Sequence, residues 1–431
     1  MPEPTYAVIG AGPSGLAAAR NLQRRGIGWS GYELADDVGG LWNIDGPRST
    51  VYESAHLISS KRTTEFAEFP MADEVADYPS HRALLGYFRD YADHFGLRDG
   101  FEMGTEVLRA EPSGGGWDVT VRSAAGERTV RHAGVVVANG TLSQPSEPTF
   151  EGSFDGEVLH TSRYRSASVL AGKRVLVVGA GNSGCDIAVD AVHHAASVDI
   201  SVRRGYHFVP KYLFGRPSDT LNQGRPLPPR VKQAIDSRLL RAFTGDPVRF
   251  GFPRPDHRIY ESHPIVNTLI LHHLGHGDLR VRRDVRRLDG DGVVFADGER
   301  GEYDVVVLAT GYRLHYPFLD PALLDWSGAG TAPDLYLNVF SKQDPNLFVV
   351  GMIEATGIGW QGRHEQAELV AAYLAARRTS PAAAAAFDAR VQGPRPDLSG
   401  GYRYLALERM SYYVNKDAYR TAVRDQIESL A

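Results

Sequence analysis

Two stretches of the chain share one pattern of hydrophobic and polar positions. Residues 6–9 and 175–178 are runs of four apolar residues, and each is followed by Gly-x-Gly-x-x-Gly and then by apolar residues at helical spacing. A short run rich in β-branched residues that ends at glycine is typical of a buried parallel strand. The pattern therefore predicts two strand–turn–helix units.

The two units also end alike, which indicates an internal repeat. Apolar runs at 135–138 and 305–309 lead to Gly140 and Gly311, so the interval from Gly10 to Gly140 nearly equals that from Gly179 to Gly311. Strands that alternate with helices favour a parallel sheet in each unit. We therefore predict an α/β fold with two Rossmann-like dinucleotide-binding domains, the second inserted into the first.

The repeat sets the predicted domain boundaries. Residues 1–165 and 301–431 form the two parts of the first domain, and residues 166–300 form the second. A segment near 213–262 is rich in Pro and Arg without clear periodicity, and we interpret it as a loop and helical excursion from the second domain. Apolar residues at helical spacing predict a further helix over 83–95.

Composition narrows the class of protein. The chain has 431 residues, a net charge of −5 and a single cysteine. A nearly balanced charge gives no electrostatic reason to expect nucleic acid or an anionic membrane as a partner. One cysteine excludes a disulfide framework and any zinc site with two or more Cys ligands, and we expect no metal. The sequence shows no secretory leader and no long apolar stretch, so we expect a cytoplasmic protein.

The glycine sequences have a mechanical meaning between a strand and a helix. The first glycine permits a tight turn, the second lets a pyrophosphate approach the backbone, and the third lets helix and strand pack closely. The helix N-terminus then offers unpaired N–H groups to the phosphates. The predicted cofactor contacts are Gly10, Gly12, Pro13, Ser14 and Gly15 in the first turn and Gly179, Gly181, Asn182, Ser183 and Gly184 in the second.

The end of the following strand distinguishes the two cofactors. Glu33 ends that strand in the first unit, and an acid there accepts hydrogen bonds from the hydroxyls of an unphosphorylated ribose, as in FAD or NAD. The second unit has Arg203 and Arg204 instead, and two guanidinium groups suit a 2′-phosphate. We therefore prefer NADPH over NADH. A solvated surface pair is the alternative, because arginine is usually exposed.

The lone cysteine also restricts the route of the electrons. A flavin site and a nicotinamide site together form a redox relay, and its disulfide-reductase version needs two cysteines beside the flavin. Cys185 alone cannot supply them. Molecular oxygen is the leading electron acceptor.

At this point the sequence resembles a known family. Residues 154–164 fit the Phe-x-Gly-x-x-x-His-x-x-x-Tyr/Phe fingerprint of flavin-containing monooxygenases, the class B flavoprotein monooxygenases related to N,N-dimethylaniline monooxygenase. Residues 39–42, 179–186 and 304–317 resemble further motifs of that family in the same order. Baeyer–Villiger members usually carry Trp at the position of Tyr164, so the resemblance favours oxygenation of nitrogen or sulfur.

The resemblance implies a two-step reaction and several residue roles. NADPH reduces FAD, and the reduced flavin takes up O2 as a C4a-hydroperoxide that oxygenates a soft nitrogen- or sulfur-containing small molecule. His160 would couple domain position to catalysis. The alternative is a structural histidine that holds the linker in place by hydrogen bonds. The implied flavin contacts are Gly40, Leu41, Trp42, Val107 and Gln361.

One position departs from the family pattern. Members that stabilise the hydroperoxide well carry Asn three residues before a Lys, and here Ile58 precedes Lys61. Isoleucine cannot form a hydrogen bond. Either a neighbour such as Ser59 substitutes for the missing Asn, or the intermediate is shorter-lived.

The alternatives left open by the sequence fall into two classes. Among enzymes they are Baeyer–Villiger or oxidative-decarboxylating oxygenation of a carbonyl substrate, and an uncoupled NADPH oxidase. The non-enzyme alternative is a redox-sensing protein that binds FAD and NADP without turnover. The expected partners are a small-molecule substrate and O2; a homodimer is one assembly that the chain could form, and the sequence does not select it.

Overall fold

The computed structural model of the protein describes residues 5–222, 227–328 and 330–431. The strands are β1 Tyr6–Ile9, β2 Trp29–Tyr32, β3 Phe101–Glu102, β4 Glu106–Ser113, β5 Gly116–Ser123, β6 Gly126–His132, β7 Gly134–Val137, β8 Gln144–Pro145, β9 Glu157–His160, β10 Arg174–Val178, β11 Ser197–Ser201, β12 Tyr212–Leu213, β13 Arg216–Pro217, β14 Leu279–Arg282, β15 Val285–Asp289, β16 Gly292–Phe295, β17 Arg300–Glu302, β18 Val305–Leu308, β19 Tyr312–Arg313 and β20 Leu347–Val349. The α-helices are α1 Pro13–Arg24, α2 Lys61–Thr64, α3 His81–His94, α4 Asn182–Val192, α5 Pro229–Thr244, α6 Leu269–His276, α7 Gln361–Thr379, α8 Pro381–Val391 and α9 Lys416–Ser429.

The first sheet is parallel and has the strand order β20-β7-β1-β2-β3. Its central strands are apolar on both faces because both faces are covered. Val8 and Val136 face a core shared with α1, α3 and α7, whereas Ile9 and Val137 face a core that includes Trp117 of β5. This sheet places the first glycine turn at the carboxyl end of its middle strand.

The second sheet repeats the arrangement with the order β14-β11-β10-β18-β9, again all parallel. All its strands lie between Glu157–His160 and Val305–Leu308, inside the interval that separates β7 from β20 of the first sheet. The predicted fold class, two Rossmann-like units with the second inserted into the first, is confirmed. The boundaries 1–165, 166–300 and 301–431 stay a prediction, and β9 and β18 of the second sheet lie outside 166–300.

Smaller elements complete each unit. The three-stranded antiparallel sheet β4-β5-β6 packs on the first sheet, and β15-β16-β17 packs on the second. The helix predicted over 83–95 is α3, whose N-cap Ser80 accepts a hydrogen bond from the Ala83 N–H. The predicted excursion at 213–262 contains β13 and α5, and its residues 223–226 lie outside the described ranges.

The two units meet through side-chain hydrogen bonds from the segment 49–55 to α4. The Tyr52 hydroxyl donates to Asp186 at 3.1 Å, and the Ser54 hydroxyl donates to Asp190. Tyr164, which is fully buried, donates to the same Asp190 at 3.2 Å and packs edge-on against Tyr52. Tyr164, the last residue of the family fingerprint, thus packs and forms a hydrogen bond at the domain junction.

Within the described ranges, none of the helices combines the length and the apolar character that crossing a membrane requires.

Candidate active site

The first glycine turn is held by close backbone contacts. Gly10 has φ of 103°, a conformation that favours glycine. A Cβ atom on Gly15 would lie 1.7 Å from the Gly10 carbonyl oxygen, so α1 and β1 can approach only without a side chain there. The N-cap of α1, Gly12, has no side-chain cap. The first N–H groups of the helix are therefore available to an anionic group such as a pyrophosphate.

Glu33 follows β2 and is buried with both carboxylate oxygens engaged. Its Oε2 accepts from the Ala11 N–H at 2.6 Å and its Oε1 accepts from the Ala35 N–H at 2.8 Å. Burial raises the pKa of this carboxyl, and the two backbone N–H groups partly offset that rise. Each carboxylate oxygen keeps a further lone pair, so Glu33 can still accept hydrogen bonds from ribose hydroxyls.

A cavity of ≈ 320 Å³ runs along the carboxyl edge of the first sheet. Predicted cofactor contacts that line it are Gly10, Gly12, Pro13, Ser14, Glu33, Gly40, Leu41, Trp42 and Val107. Gly351, Glu354, Trp360 and Arg363 line it as well. Because β2 and β20 lie on opposite sides of β1, the end near Glu33 and the end near α7 are separated by the glycine turn. An elongated cavity with an acid at one end and free helix N–H groups in the middle fits a dinucleotide such as FAD.

Gln361, predicted to contact the flavin, is engaged elsewhere. It is the first residue of α7, and its Oε1 accepts from the Ala67 N–H at 2.9 Å. Its neighbour Trp360 lines the cavity instead and packs on aromatic rings, with a centroid distance of 4.5 Å to Phe88 and 5.7 Å to Tyr87. Trp360 thus forms an apolar part of the cavity wall at the α7 end and is backed by the other two rings.

The second glycine turn has the same geometry as the first. Gly179 has φ of 104°, and a Cβ atom on Gly184 would lie 2.0 Å from the Gly179 carbonyl oxygen. Gly181 is the N-cap of α4 and has open space where a Cβ would stand. Asn182 anchors the segment that follows α5, since its Oδ1 accepts from the Val266 N–H at 2.7 Å. Ser183 occupies the first turn of α4 beside it.

The two arginines after β11 differ in their surroundings. Arg203 is exposed, whereas Arg204 donates to Asp256 at 2.7 Å. Hydrogen bonds from Arg204 and from His257 lower the pKa of Asp256 to about 2. Asp256 therefore already forms an ion pair with Arg204. A 2′-phosphate would compete with Asp256 for the guanidinium group of Arg204.

His160 is completely buried at the end of β9 and lies away from the residues that line the cavity. Its Nδ1 accepts from the Ser162 N–H at 3.0 Å, which leaves Nε2 to donate to the Gly311 carbonyl at 3.2 Å. Burial lowers the pKa of this imidazole. These bonds support a neutral ring that fixes β9 to the turn after β18.

The loop at 57–61 lies between the α7 end of the cavity and the second unit. The Ser59 hydroxyl bonds to Thr64 at 2.7 Å, and the Thr64 carbonyl accepts from the Trp360 N–H at 2.8 Å. Ile58 is half-buried in the same loop. Lys61 is buried and donates to the carbonyls of Ala72, Asp73 and Val75, so its ammonium group holds a neighbouring loop together. Ser59 is thus linked through Thr64 to the residue that lines the cavity.

Comparison with known proteins decides the family. The sequence profile of the flavin-binding monooxygenase-like family matches residues 4–389. The chain belongs to this family. It is a flavin-dependent monooxygenase that uses FAD and NADP(H), which confirms the predicted cofactors and overturns the non-enzyme alternative.

Two relatives and one solved structure illustrate the range of this flavin-binding monooxygenase family. The chain is 32% identical over 376 residues to dimethylaniline monooxygenase [N-oxide-forming] 2 of Rattus norvegicus, covering 81% of this chain and 69% of the relative. It is 33% identical over 327 residues to indole-3-pyruvate monooxygenase YUCCA1 of Oryza sativa subsp. japonica, covering 73% and 78%. ε-Caprolactone-bound cyclohexanone monooxygenase shares the fold, with a TM-score of 0.72, 21% identity and coverage of 98% and 97%.

Sequence reasoning missed three charged residues of this monooxygenase at the α7 end of the cavity. Glu354 and Arg363 line the cavity, and Arg409 forms an ion pair with Glu354 at 3.1 Å. Arg363 stands two residues after Gln361, so a search of the first turn of α7 could have found it. Arg409 lies beyond residue 389, outside the matched part of the chain, and no motif pointed to it.

Proposed function

We propose that the protein is an NADPH-dependent monooxygenase that transfers one oxygen atom of O2 to a soft nitrogen or sulfur atom of a small molecule. The observation that carries this proposal is Tyr164 at the end of the linker motif, where Baeyer–Villiger members usually carry Trp. The 32% identity to an N-oxide-forming enzyme supports the same branch. The preference for NADPH over NADH rests on Arg203 and Arg204 after β11.

In this proposal the residues of the chain bind, orient and exclude water. The N–H groups at the start of α1 and the carboxylate of Glu33 hold FAD, and those at the start of α4 with Arg203 hold NADPH. Bound flavin supplies the electron transfer and the oxygen activation, which no side chain can perform. Trp360 and Phe88 keep water from the α7 end of the cavity, and His160 fixes the linker between the units.

A carbonyl substrate such as a 2-oxo acid is the second candidate, and Ile58 leaves it open. Ile58 stands where family members that stabilise the hydroperoxide well carry Asn, and it offers no hydrogen bond. The 33% identity to an enzyme named for indole-3-pyruvate, a 2-oxo acid, points in the same direction. If the missing Asn hydrogen bond shortens the lifetime of the oxygenated flavin so far that no substrate is oxygenated, the protein is an uncoupled NADPH oxidase.

A substrate screen tests the proposed function. Purified protein loaded with FAD is supplied with NADPH and with amines, sulfides, ketones and 2-oxo acids in turn, and the oxygenated product and hydrogen peroxide are both quantified. We expect N-oxide or S-oxide formation that accounts for most of the NADPH consumed. Product from ketones or 2-oxo acids alone would support the second candidate, and peroxide equal to NADPH with every compound would establish the oxidase.

A substitution in the loop tests the role of position 58. Ile58→Asn restores the amide that the family pattern places there, and Ile58→Val is the matched control because it alters size without adding a hydrogen bond. We expect Ile58→Asn to lower the ratio of peroxide to NADPH while Ile58→Val leaves it unchanged. Equal ratios in both variants would show that this position does not govern coupling.

A further inference from the structure

The α7 end of the cavity carries three charges that the motifs do not account for. Glu354 and Arg363 line the cavity from the loop before α7 and from its first turn. Arg409 comes from the C-terminal segment and donates from Nη2 to Glu354 Oε2 at 3.1 Å. That segment is fastened to both units, because the Leu405 N–H donates to the Glu261 carbonyl and the Val414 N–H donates to the Glu354 carbonyl.

The three charges are unevenly paired. Glu354 has its partner in Arg409, whereas Arg363 has no carboxylate within 4.0 Å among the residues that the structure describes. The hydrogen bond that Arg363 makes runs from Nη1 to the carbonyl of Gly359, in the turn just before α7, at 2.8 Å. Its remaining N–H groups are thus left for a group inside the cavity, and the three side chains together carry one net positive charge.

The three groups differ in their exposure to water. The side chain of Glu354 is 15% exposed and that of Arg409 is 48% exposed, and Arg363 is half-buried. Burial acts to raise the pKa of Glu354, but its interactions with Arg409, His263 and Arg363 outweigh burial, so the pKa lies below its ordinary value. Burial lowers the pKa of Arg363. Water therefore screens the Arg409 side of the cluster more than the half-buried side chains that line the cavity. The N-terminus of α7, whose N-cap Trp360 has no side-chain cap, adds a positive dipole end at the same place.

Flavin chemistry creates the matching negative charge. Hydride from NADPH brings two electrons and one proton to the neutral isoalloxazine ring, which leaves the ring with one negative charge and converts NADPH to NADP⁺. Because Glu33 would hold the adenosine of a bound FAD, the ring would lie on the other side of the glycine turn, toward α7. We propose that Arg363 stabilises this reduced, negatively charged ring, and that Arg409 neutralises Glu354 so that the acid does not cancel the effect. The inference rests on the proposed function only in requiring bound FAD.

A purely structural role is the competing explanation for each arginine. Arg363 would then serve to close the first turn of α7, and Arg409 would serve to fasten the C-terminal segment. Loss of activity alone cannot separate the two roles. The reduction potential of the bound flavin does, because it responds to charge near the ring and is insensitive to packing that leaves the flavin in place.

The first experiment measures the midpoint potential of FAD-loaded protein by spectroelectrochemistry. We expect Arg363→Gln to disfavour the reduced state by tenfold or more, which for a two-electron couple is a fall of about 30 mV. Arg363→Lys should restore most of the potential. The control is Arg377→Gln, the same charge change at the far end of α7. A shift in Arg363→Gln no larger than in this control would overturn the proposal.

A second pair of variants keeps the proposal testable if Arg363→Gln does not retain FAD. Glu354→Gln should raise the potential, and Arg409→Gln should lower it by leaving the acid unpaired. Sulfite, which adds to oxidised flavin and leaves the ring negatively charged, should bind more tightly to the first variant and more weakly to the second. Unchanged or reversed shifts would contradict the proposal. Wild-type protein that binds no FAD would instead refute the proposed function.

Discussion

The two glycine turns of this protein have nearly identical backbones and differ at the end of the next strand. Gly10 and Gly179 have φ of 103° and 104°, and in each turn the third glycine leaves no room for a Cβ atom. After β2, however, Glu33 is buried and fixed by two backbone N–H groups, whereas after β11 Arg203 is exposed and Arg204 is paired with Asp256.

We propose that this difference separates a resident cofactor from one that exchanges. A buried, pre-oriented acid binds its ribose at little entropic cost, which suits FAD that stays bound through many turnovers. An exposed arginine such as Arg203 binds a phosphate by charge and releases it again, which suits NADPH that must enter and NADP⁺ that must leave. We propose that the backbone of the turn recognises the pyrophosphate in both units, and that the strand end selects which nucleotide is held and how firmly.

The largest expected effect is at the turn itself. Gly15→Ala would place a Cβ 1.7 Å from the Gly10 carbonyl oxygen, so α1 must move away from β1 and the phosphate site is lost. We expect protein that retains no FAD by absorbance and that melts at a lower temperature. Gly86→Ala, in α3 with open space around it, is the control and should retain full FAD content.

The second largest effect is expected at Glu33, the acid after β2 in the first unit. Glu33→Ala removes the acceptor for the ribose and leaves the Ala11 and Ala35 N–H groups unpaired, at a cost of roughly 1.5–3 kcal/mol for hydrogen bonds to a charged group. We expect the Kd for FAD to rise by about 10–100-fold, measured by fluorescence titration of the apoprotein. An unchanged Kd would show that the strand end does not select the cofactor.

The arginines should show a smaller and selective effect. Arg203→Ala with Arg204→Ala should raise the KM for NADPH by about tenfold or more, because two charged partners of the 2′-phosphate are lost, and should leave the KM for NADH nearly unchanged. Arg238→Ala, in the exposed helix α5, controls for the loss of positive charge. Equal changes for both nucleotides would remove the assignment of the 2′-phosphate to this strand end.

The smallest effect is expected at Asp256, which competes with the 2′-phosphate for Arg204. Asp256→Asn frees Arg204 from its ion pair, and because surface pairs contribute about 0–1 kcal/mol, the KM for NADPH should fall by no more than about fivefold. The KM for NADH should not respond. A rise in the KM for NADPH would mean that Asp256 orients Arg204 for the phosphate and does not compete with it.

Sequence patterns anticipated the parts of the molecule that depend on local contacts. The two turns, α3 and the repeated parallel sheets follow from apolar runs, glycines and helical spacing. The interpretation of 213–262 as a segment without clear periodicity missed α5, in which Val231, Ile235 and Phe243 recur at helical spacing. These apolar side chains are about half exposed in the structure, so the stripe that they form does not face a core.

The charged end of the cavity was beyond prediction for a different reason. Arg409 reaches Glu354 through a C-terminal segment that is positioned by isolated backbone hydrogen bonds, and such contacts leave no spacing to recognise. Lys61 shows that a residue of a family motif can have a structural role. Its ammonium group donates to three backbone carbonyls of a neighbouring loop.

Isotope labelling of O2 tests the central claim. The claim is that electrons from NADPH in the second unit reach O2 through the flavin of the first, and that one oxygen atom of O2 is transferred to a nitrogen or sulfur atom. The FAD-loaded protein is supplied with NADPH, ¹⁸O2 and the best amine or sulfide from the screen, and the product is analysed by mass spectrometry. We predict one heavy oxygen atom in the product for each NADPH consumed. Unlabelled product, or label found solely in hydrogen peroxide, would contradict the account.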